Sequence, residues 1–331
     1  MAQATFLPGT ATADLATAAD LVASVRDGYR QRGEGAPAEP RHRVTSADPP
    51  GMLTGYAAVL PETGTMGGYT YSAGFGERDA WFVTPLFDAE SGEPLAVLDG
   101  AALNPRKTGA AGAVGVDALA RDDASHVAVI GSGPQARGQL RAVATVRDLE
   151  DVWVYSPTKD HRERFAADMN AELDAAVAAV ASSAAAVEGA DVVVTATTAD
   201  EPVFDGDLLA PGAHVTAMGQ YHPEKRELDH TTIERAVYVP DLRERTTLDA
   251  GSFISALEAG VVDEDHVHAE LGEVVAGAAP GRTDPDDVTV FDSGGTAIET
   301  VAAATLLYER AVERDRGTPI EFAAASEAFD R

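Results

Sequence analysis

A glycine-rich turn between a strand and a helix is the feature that most restricts how this chain can fold. Residues 126–130 form a predicted buried strand and are followed by Gly131-Ser132-Gly133-Pro134-Gln135-Ala136, which fits the pattern G-x-G-x-x-A. The first glycine allows a tight turn, the second lets the backbone approach a pyrophosphate, and the alanine lets the helix pack against the strand. Free N–H groups at the start of such a helix face the phosphates. The turn predicts a dinucleotide site; the alternative is a glycine turn that only packs.

Further strands alternate with helical segments after this turn. Continuous apolar runs occur at 152–155, 191–196 and 213–218, and shorter ones at 237–240 and 288–291. Runs that are apolar on both faces indicate strands covered on both sides, which is typical of a parallel sheet flanked by helices. The sequence therefore predicts an α/β fold with a Rossmann-type NAD(P)-binding domain over residues 119–302.

The segments on either side of this region have a different pattern. Residues 13–30 carry apolar side chains at helical spacing, and a long helix is expected to begin near Thr296. Short β-prone runs at 69–72, 80–84 and 95–98, separated by turn residues, predict an antiparallel meander. We expect residues 1–118 and 303–331 to form one α+β domain, into which the Rossmann-type domain is inserted.

The end of the second strand of the parallel sheet indicates which cofactor is bound. An acidic residue there binds the free 2′-hydroxyl of the adenosine ribose, but residues 155–159 contain none. Ser156, Thr158 and Lys159 stand there instead, and lysine occurs only at positions 107, 159 and 225. This pattern favours NADP over NAD. Asp160 lies just beyond and keeps NAD open, and the alternative for Lys159 is a solvated residue at a helix start.

Composition excludes several classes of protein. The 331 residues are 45% hydrophobic, which suits about two domains with a sizeable core, and the formal net charge is −29. This charge argues against nucleic-acid partners and anionic membranes, and no apolar run approaches the ~18 residues of a membrane span.

Cysteine is absent, so disulfides and Cys-ligated metals are excluded. His266 and His268 specify no metal site, since they have no third ligand.

The surplus of carboxylates over lysine is typical of a salt-adapted cytoplasmic protein. High salt screens the repulsion between carboxylates that low salt leaves exposed. The alternative is ordinary acidic drift, that is, an acidic composition unrelated to salt. The first residues do not show the basic segment and apolar core of a signal peptide, so we expect a cytoplasmic location.

Five segments, in order and over nearly the whole chain, resemble the ornithine cyclodeaminase/μ-crystallin family. They are residues 103–111 (L-x-x-x-R-T-x-A-A in the family), the 131–136 turn, residues 195–204 (T-A-T-x…P-V-F), residues 211–229 (P-G-x-H-V…G…P…R-E-L-D) and residues 291–299, which read F-D-S-G-G-T-A-I-E here. The resemblance implies a homodimer, whose first domain forms the dimer through an antiparallel sheet and binds the substrate.

The resemblance also implies an activity. Members transfer a hydride between a nicotinamide and C2 of a small amino or imino acid. We therefore expect an oxidoreductase that acts on CH–NH2 or C=N groups, either an imine reductase or an enzyme like alanine dehydrogenase, with an amino, imino or 2-oxo acid as substrate. The alternatives are ornithine cyclodeaminase, which converts L-ornithine to L-proline and ammonia, and a μ-crystallin-like protein that binds NADPH and a small ligand with little turnover.

Residues expected to bind the cofactor follow from the same matches. Besides residues 131–136, they are Lys107, Thr108, Ser156, Thr158, Lys159, Thr195, Ala196, Thr197, Met218, Gly219 and Ser293.

The substrate-binding residues depart from the family pattern. Arg41, with Arg43 as the alternative, matches the arginine that holds the substrate carboxylate. Lys107 stands in place of a second arginine and keeps its charge without the bidentate fork. Tyr69 replaces the lysine that the family places near the reacting carbon, and Tyr221 replaces an aspartate of the cyclodeaminases.

These departures favour imine reduction over cyclodeamination. Cyclodeamination needs a carboxylate for the distal amine, whereas imine reduction needs a cofactor, a cationic clamp and one proton donor. We expect Tyr69 or Tyr221 to donate this proton, and Asp292, at the end of a predicted strand, to contact nicotinamide or substrate. His42 and His222 are further candidates. For each tyrosine and histidine, a structural hydrogen bond is the alternative, as is helix capping for Asp292.

Overall fold

The strands of this chain belong to two sheets, one in each of the two units into which the chain divides. The computed structural model describes residues 2–75, 79–219 and 221–328. The first unit contains residues 1–107 and 296–331, and the second contains residues 108–295. The sequence analysis placed these divides at 118/119 and 302/303.

The strands are β1 Ala2–Leu7, β2 His42–Ala47, β3 Pro50–Leu60, β4 Thr65–Phe75, β5 Asp79–Asp88, β6 Pro94–Asp99, β7 His126–Ile130, β8 Asp151–Tyr155, β9 Ala176–Ala179, β10 Val192–Thr195, β11 His214–Ala217, β12 Ala236–Pro240, β13 Val288–Asp292 and β14 Thr318–Phe322. The helices are α1 Gly9–Thr12, α2 Ala18–Gly33, α3 Gly100–Leu119, α4 Pro134–Val143, α5 Lys159–Glu172, α6 Ser183–Val187, α7 His230–Arg235, α8 Gly251–Glu258, α9 Leu271–Val275, α10 Ala297–Glu313 and α11 Ala325–Ala328. Short 3-10 helices are formed by Gly206–Leu208, Arg243–Arg245 and Glu264–His266.

The sheet of the first unit has the order β14-β1-β6-β5-β4-β3-β2 in the part of the chain that is described. Strands β2 to β6 pair antiparallel with their neighbours in the chain, which confirms the expected meander. Strand β1 pairs with β14 and with β6, so the two ends of the described chain join one sheet. The three predicted runs lie in β4, β5 and β6, and no predicted run covered β1, β2, β3 or β14.

Capping and packing place helix α10 on this sheet. Thr296 and Glu299 form a capping box at its first turn, which explains why the helix begins after Gly294 and Gly295. The helix packs along β3, β4 and β5, and the hydroxyls of Thr65 and Thr305 lie 2.7 Å apart. We call the side of the sheet that faces α10 the inner face, and the opposite side the outer face.

The outer face is apolar and exposed. Val44 lies opposite Leu53 on the neighbouring strand, and Trp81 and Val83 extend the same side across β5. Their exposed fractions are 71% for Val44, 52% for Leu53, 73% for Trp81 and 49% for Val83. The first unit also contains an apolar groove of ≈ 600 Å³, whose lining includes Ala57, Val59, Met66 and Phe87 of the outer face together with Tyr56 and Tyr69.

The sheet of the second unit is parallel throughout its described residues, in the order β12-β13-β11-β10-β7-β8-β9. Apolar side chains fill both of its faces because helices cover it on each side. From β7 the chain adds β8 and β9 on one side and then β10 on the other, so the strand order reverses between β7 and β10. In such sheets ligands bind at the carboxyl ends of the strands at this point. The expected α/β fold with a Rossmann-type sheet is confirmed.

None of the helices in the described ranges combines the length and apolarity that crossing a bilayer requires.

Candidate active site

The predicted glycine turn lies at the carboxyl end of β7. Gly131 has a φ of 122°, and a Cβ there would lie 2.3 Å from the carbonyl oxygen of Ala196, so this position requires glycine. Gly133 is the N-cap of α4 and offers no capping side chain, and a Cβ there would meet no atom within 4 Å. The start of α4 is therefore an open cradle of backbone N–H groups, which fits the pyrophosphate of a dinucleotide.

The other residues of the turn hold this cradle in shape. The Ser132 hydroxyl donates to Ser156 Oγ at 2.9 Å, which joins the turn to the end of β8. The Thr108 hydroxyl donates to the side-chain oxygen of Gln135. Pro134 is the first residue of α4, and Ala136 is fully buried, so that helix and sheet pack closely.

The end of β8 has basic and hydroxyl side chains. Thr158 is the N-cap of α5, and its exposed side chain makes no capping hydrogen bond. Lys159 is exposed and lies 3.6 Å from Glu163. The Arg162 guanidinium donates to the backbone oxygen of Ser156 at 2.9 Å. Sequence reasoning missed Arg162, although its place in the first turn of α5, one turn after Thr158, was a usable signal.

Glu227 organises the ends of β10 and β11. Its carboxylate accepts hydrogen bonds from the Thr195 hydroxyl at 2.8 Å and from the N–H groups of Thr197 and Gly219 at 2.7 Å each. Burial raises the pKa of Glu227 above its usual range, although these donors oppose the shift. The backbone N–H of Met218 donates to Thr195 O at 3.1 Å. Glu227 stands in the block resembling R-E-L-D, but sequence reasoning gave it no role.

The remaining cofactor candidates of the second unit lie at the same edge of the sheet. The N–H of Ala196 donates to Ile130 O, and the N–H of Ser293 donates to Ala217 O, each at 2.8 Å. Tyr221 is half-buried and follows residue 220, which lies outside the described residues.

Asp292 lies in a buried ion-pair cluster at the end of β13. Its carboxylate contacts the Arg245 guanidinium and the Tyr238 hydroxyl, and it is fully buried. Arg245 also donates to Asp241 and Asp249 at 2.7 Å each. Burial raises the pKa of Asp292, and the three carboxylates hold the pKa of Arg245 well above its ordinary value. These contacts commit the Asp292 side chain to the cluster.

In the first unit, Tyr69 lies at the centre of an aromatic stack on the inner face. Its ring centroid is 5.4 Å from that of Tyr56, 5.3 Å from that of Phe82 and 5.7 Å from that of Tyr71. The hydroxyls of Thr54 and Thr84 belong to the same face, since Thr54 is paired with Tyr71 and Thr84 lies two residues beyond Phe82. We call these residues the Tyr69 cluster: Thr54, Tyr56, Tyr69, Tyr71, Phe82 and Thr84.

Two predicted cations meet at this cluster. Lys107 Nζ lies 4.8 Å from the ring centroid of Tyr69, and Arg41 Cζ lies 5.5 Å from that of Tyr56. Lys107 is fully buried and pairs with Glu299 at 3.1 Å. Arg43 lies on β2, half-buried. The fold of the first unit thus brings Arg41, Tyr69 and Lys107 together. Arg41 and Lys107 are 66 positions apart in the sequence, so no local motif could have predicted that they meet.

Three hydroxyls of the Tyr69 cluster are buried without a hydrogen-bond partner among the described residues. They are those of Thr54, Tyr69 and Thr84. Leaving such a group unsatisfied costs about 1–3 kcal/mol, so a polar ligand or water is expected beside them. Burial raises the pKa of Tyr69 well above its ordinary value, so this phenol stays protonated. Sequence reasoning missed Thr54, Tyr56 and Thr84; their alternation with outer-face residues was the available signal.

Among the described residues, no group of three or more His, Asp or Glu side chains is arranged to hold a metal ion.

Comparisons with known proteins identify the family of this chain. The model of the ornithine cyclodeaminase/mu-crystallin family matches residues 12–315. Delta(1)-pyrroline-2-carboxylate reductase of Bacillus cereus is 34% identical over 265 residues, which are 80% of this chain and 78% of the relative.

Solved structures show the same similarity. Thermococcus litoralis Delta(1)-pyrroline-2-carboxylate reductase, in complex with NADH and L-proline, has a TM-score of 0.90 at 32% identity and covers 95% of this chain and 99% of its own. An archaeal alanine dehydrogenase dimer with bound NAD has a TM-score of 0.90 at 28% identity, covering 97% of this chain and 100% of its own. This chain belongs to the ornithine cyclodeaminase/mu-crystallin family.

Proposed function

We propose that this protein is an NAD(P)H-dependent reductase that acts on the C=N bond of a small 2-imino acid and, in reverse, on the CH–NH2 group of the product. The buried and protonated Tyr69 hydroxyl, which has no protein partner among the described residues, carries this proposal. Lys107 lies over the Tyr69 ring, and Arg41 lies over the ring of the neighbouring Tyr56. The relatives named above are a pyrroline-carboxylate reductase and an alanine dehydrogenase.

Residues of the second unit hold the cofactor in this proposal. Gly131, Gly133 and the start of α4 bind the pyrophosphate, and Glu227 orders the backbone of Thr197 and Gly219 at the nicotinamide half of the sheet. When bound, a reduced nicotinamide supplies the hydride.

Residues of the first unit bind and protonate the substrate. Arg41 binds the carboxylate, because its guanidinium offers a planar fork of donors. The Tyr69 hydroxyl donates a hydrogen bond to the imine nitrogen and transfers this proton to it as C2 is reduced, so that the nitrogen becomes an amine; solvent then returns a proton to the Tyr69 oxygen. The aromatic rings around Tyr69 exclude water from the reacting carbon. Tyr221 remains a second candidate donor, whereas the buried contacts of Asp292 favour a structural role for it.

We further propose that NADP is preferred to NAD. Ser156, Thr158, Lys159 and Arg162 surround the end of β8, and none of them repels a 2′-phosphate. The Kd values of NADPH and NADH decide this point. A double variant with Lys159→Ala and Arg162→Ala is expected to weaken NADPH about 10-fold or more and NADH little, since only NADPH carries the phosphate.

The central experiment measures oxidation of NADPH and NADH in concentrated salt. Substrates are Delta(1)-pyrroline-2-carboxylate, and pyruvate with and without ammonia. We expect oxidation with the cyclic imine, and with pyruvate only when ammonia is present, because the reacting group is C=N. A thermal shift with either cofactor but no turnover on any imine would instead favour the small-ligand-binding alternative.

A further inference from the structure

A fully buried ion pair contacts the ring of Tyr69. Lys107 Nζ lies 3.1 Å from Glu299 Oε1, and each side chain is 1% exposed. The same ammonium lies over the Tyr69 ring, 4.8 Å from its centroid. A buried ion pair is weak evidence for stability, because desolvation offsets much of its Coulomb attraction. Its position against Tyr69 therefore calls for another explanation.

The start of α10 fixes the carboxylate of this pair. Glu299 Oε1 accepts the backbone N–H of Thr296 at 2.8 Å, and Oε2 contacts the Thr296 hydroxyl. The Tyr29 hydroxyl donates to Oε2 at 3.5 Å. With both oxygens held by the capping box and by α2, Glu299 offers Lys107 a partner at one fixed position.

The ring of Tyr69 is confined on its other sides. Tyr56 and Phe82 stack on it, with interplanar angles of 23° and 18°. The backbone of Gly100 also approaches closely, since a Cβ there would lie 3.0 Å from Tyr69 Cε2 and 3.1 Å from Thr84 Oγ1. The ammonium of Lys107 is thus one of the contacts that set where the Tyr69 hydroxyl lies.

We propose that Glu299 is a positioning residue: it holds the ammonium of Lys107 over the ring of Tyr69, so that the Tyr69 hydroxyl is presented to the substrate in one orientation. This proposal rests on the function proposed above, in which Tyr69 is the donor. Glu299 touches neither substrate nor cofactor in it and acts through Lys107.

Four variants test the proposal: Glu299→Gln, Lys107→Met, the double variant that combines them, and Thr17→Ala as control. Each single variant leaves a buried charge unpaired and is expected to lower the unfolding midpoint. The double variant leaves no charge behind, so its midpoint should return most of the way to wild type. Its kcat should nevertheless stay about 10-fold or more below wild type, because Tyr69 is no longer held. Thr17→Ala removes the cap of α2, and it should lower stability while kcat is unchanged.

A second measurement does not depend on turnover. Calorimetric titration with pyrrole-2-carboxylate, a planar analogue that cannot be reduced, reports the affinity of the substrate side alone. We expect its Kd to rise about threefold or more in the double variant and to remain at the wild-type value in Thr17→Ala.

A double variant with wild-type stability, wild-type kcat and wild-type affinity for the analogue would overturn the proposal and leave the pair a purely structural one. If wild-type protein reduces no imine, the proposed function fails, while the analogue titration still decides the role of Glu299: an unchanged Kd in the double variant overturns it.

Discussion

At the scale of single residues, Tyr69 stands where the resemblance to the family predicts a lysine. A lysine at this position would bring a charge, which burial disfavours. The phenol is neutral, its pKa is raised further by burial, and it packs between Tyr56 and Phe82. A buried hydroxyl without a protein partner among the described residues lowers the stability of the fold, but it can donate a hydrogen bond to a ligand.

Tyr69→Phe tests this directly. The variant keeps the ring and its stacking but removes the unsatisfied hydroxyl, so the free energy of unfolding should be unchanged or higher by about 1 kcal/mol. The same change should lower kcat for imine reduction by roughly 100-fold, because it removes the proton donor. Denaturant unfolding and steady-state kinetics check the two effects. A marked loss of stability, or unchanged kcat, would contradict the role given to Tyr69.

His214 provides a pH-dependent prediction for the second unit. It is fully buried between the hydroxyls of Thr289 and Thr216, each at 2.9 Å, and burial lowers its pKa from 6.5 to about 3. The His214 imidazole therefore stays neutral in the native state, whereas in the unfolded state it takes up a proton below pH 6.5. Its contribution to stability is complete above this pH and declines as the pH falls toward 3.

Comparison with His214→Asn isolates this contribution. Between about pH 7 and pH 5, wild type should lose about 2 kcal/mol of unfolding free energy relative to the variant, which does not titrate there. Urea unfolding at a series of pH values measures this difference. A constant difference across the range would show that His214 titrates normally.

At the scale of elements, the strand–turn–helix formed by β7, residues 131–133 and α4 contains one glycine that the fold requires and one that it does not. Gly131 serves the fold, since its positive φ and its distance to Ala196 leave no space for a side chain. Gly133 has a φ of −81° and open space where a Cβ would lie, so the fold does not require glycine there. In the proposed function, glycine at this position lets a pyrophosphate approach the backbone.

Alanine substitutions at the two positions should therefore affect different properties, cofactor binding for Gly133 and stability for Gly131. Gly133→Ala should leave the unfolding free energy within about 0.5 kcal/mol of wild type but weaken NADPH binding about 10-fold or more, because the methyl group occupies the cradle. Gly131→Ala should unfold at a clearly lower denaturant concentration, through strain and backbone overlap. Chemical unfolding and fluorescence titration of NADPH measure both. Normal NADPH affinity in Gly133→Ala would place the pyrophosphate elsewhere.

At the scale of the whole molecule, the net charge and the exposed apolar surface lead to predictions about salt and about a partner copy. A net charge of −29 on 331 residues makes the native state repel itself at low ionic strength. The outer face exposes the large apolar side chains of Val44, Leu53, Trp81 and Val83, and exposed apolar patches mark interaction sites. We propose that a second copy of the chain covers it, in the homodimer that the sequence resemblance predicts.

Salt should stabilise this protein. Raising NaCl from about 0.1 M to about 1 M shortens the screening length from roughly 10 Å to 3 Å, which weakens the repulsion between carboxylates. We expect Tm to rise steadily over this range and beyond. Differential scanning calorimetry at fixed pH measures the effect. A Tm that is flat or falls with salt would favour acidic drift over salt adaptation.

Trp81→Glu should disrupt the proposed dimer. It places a charge at the most exposed aromatic residue of the outer face, where a partner copy would have to bury it. Sedimentation velocity should show wild-type protein as a dimer and the variant as a monomer. Leu248→Glu is the matched control, because Leu248 is 55% exposed but belongs to the second unit. If both variants remain dimers, the outer face is not the interface.

Local patterns predicted much of the second unit and less of the first. The turn at 131–136 and the runs at 152–155 and 213–218 correspond to observed elements, because parallel strands are buried on both faces and appear as continuous apolar segments. Strand β2 was missed, since its largely exposed residues lack such a run. Strands β1 and β14 were missed because they pair across almost the whole chain, which no local window records.

By itself, the sequence determined the cofactor turn, the two kinds of sheet and the presence of Arg41, Tyr69 and Lys107, because spacing and side-chain type are local properties. Only the tertiary structure decided that Arg41 and Lys107 contact rings of the Tyr69 cluster, that Glu299 pairs with Lys107, and that Asp292 is committed to Arg245. The reason is physical: burial and charge pairing depend on which distant segments pack together, and that is settled by the sheet and helix contacts of the folded chain.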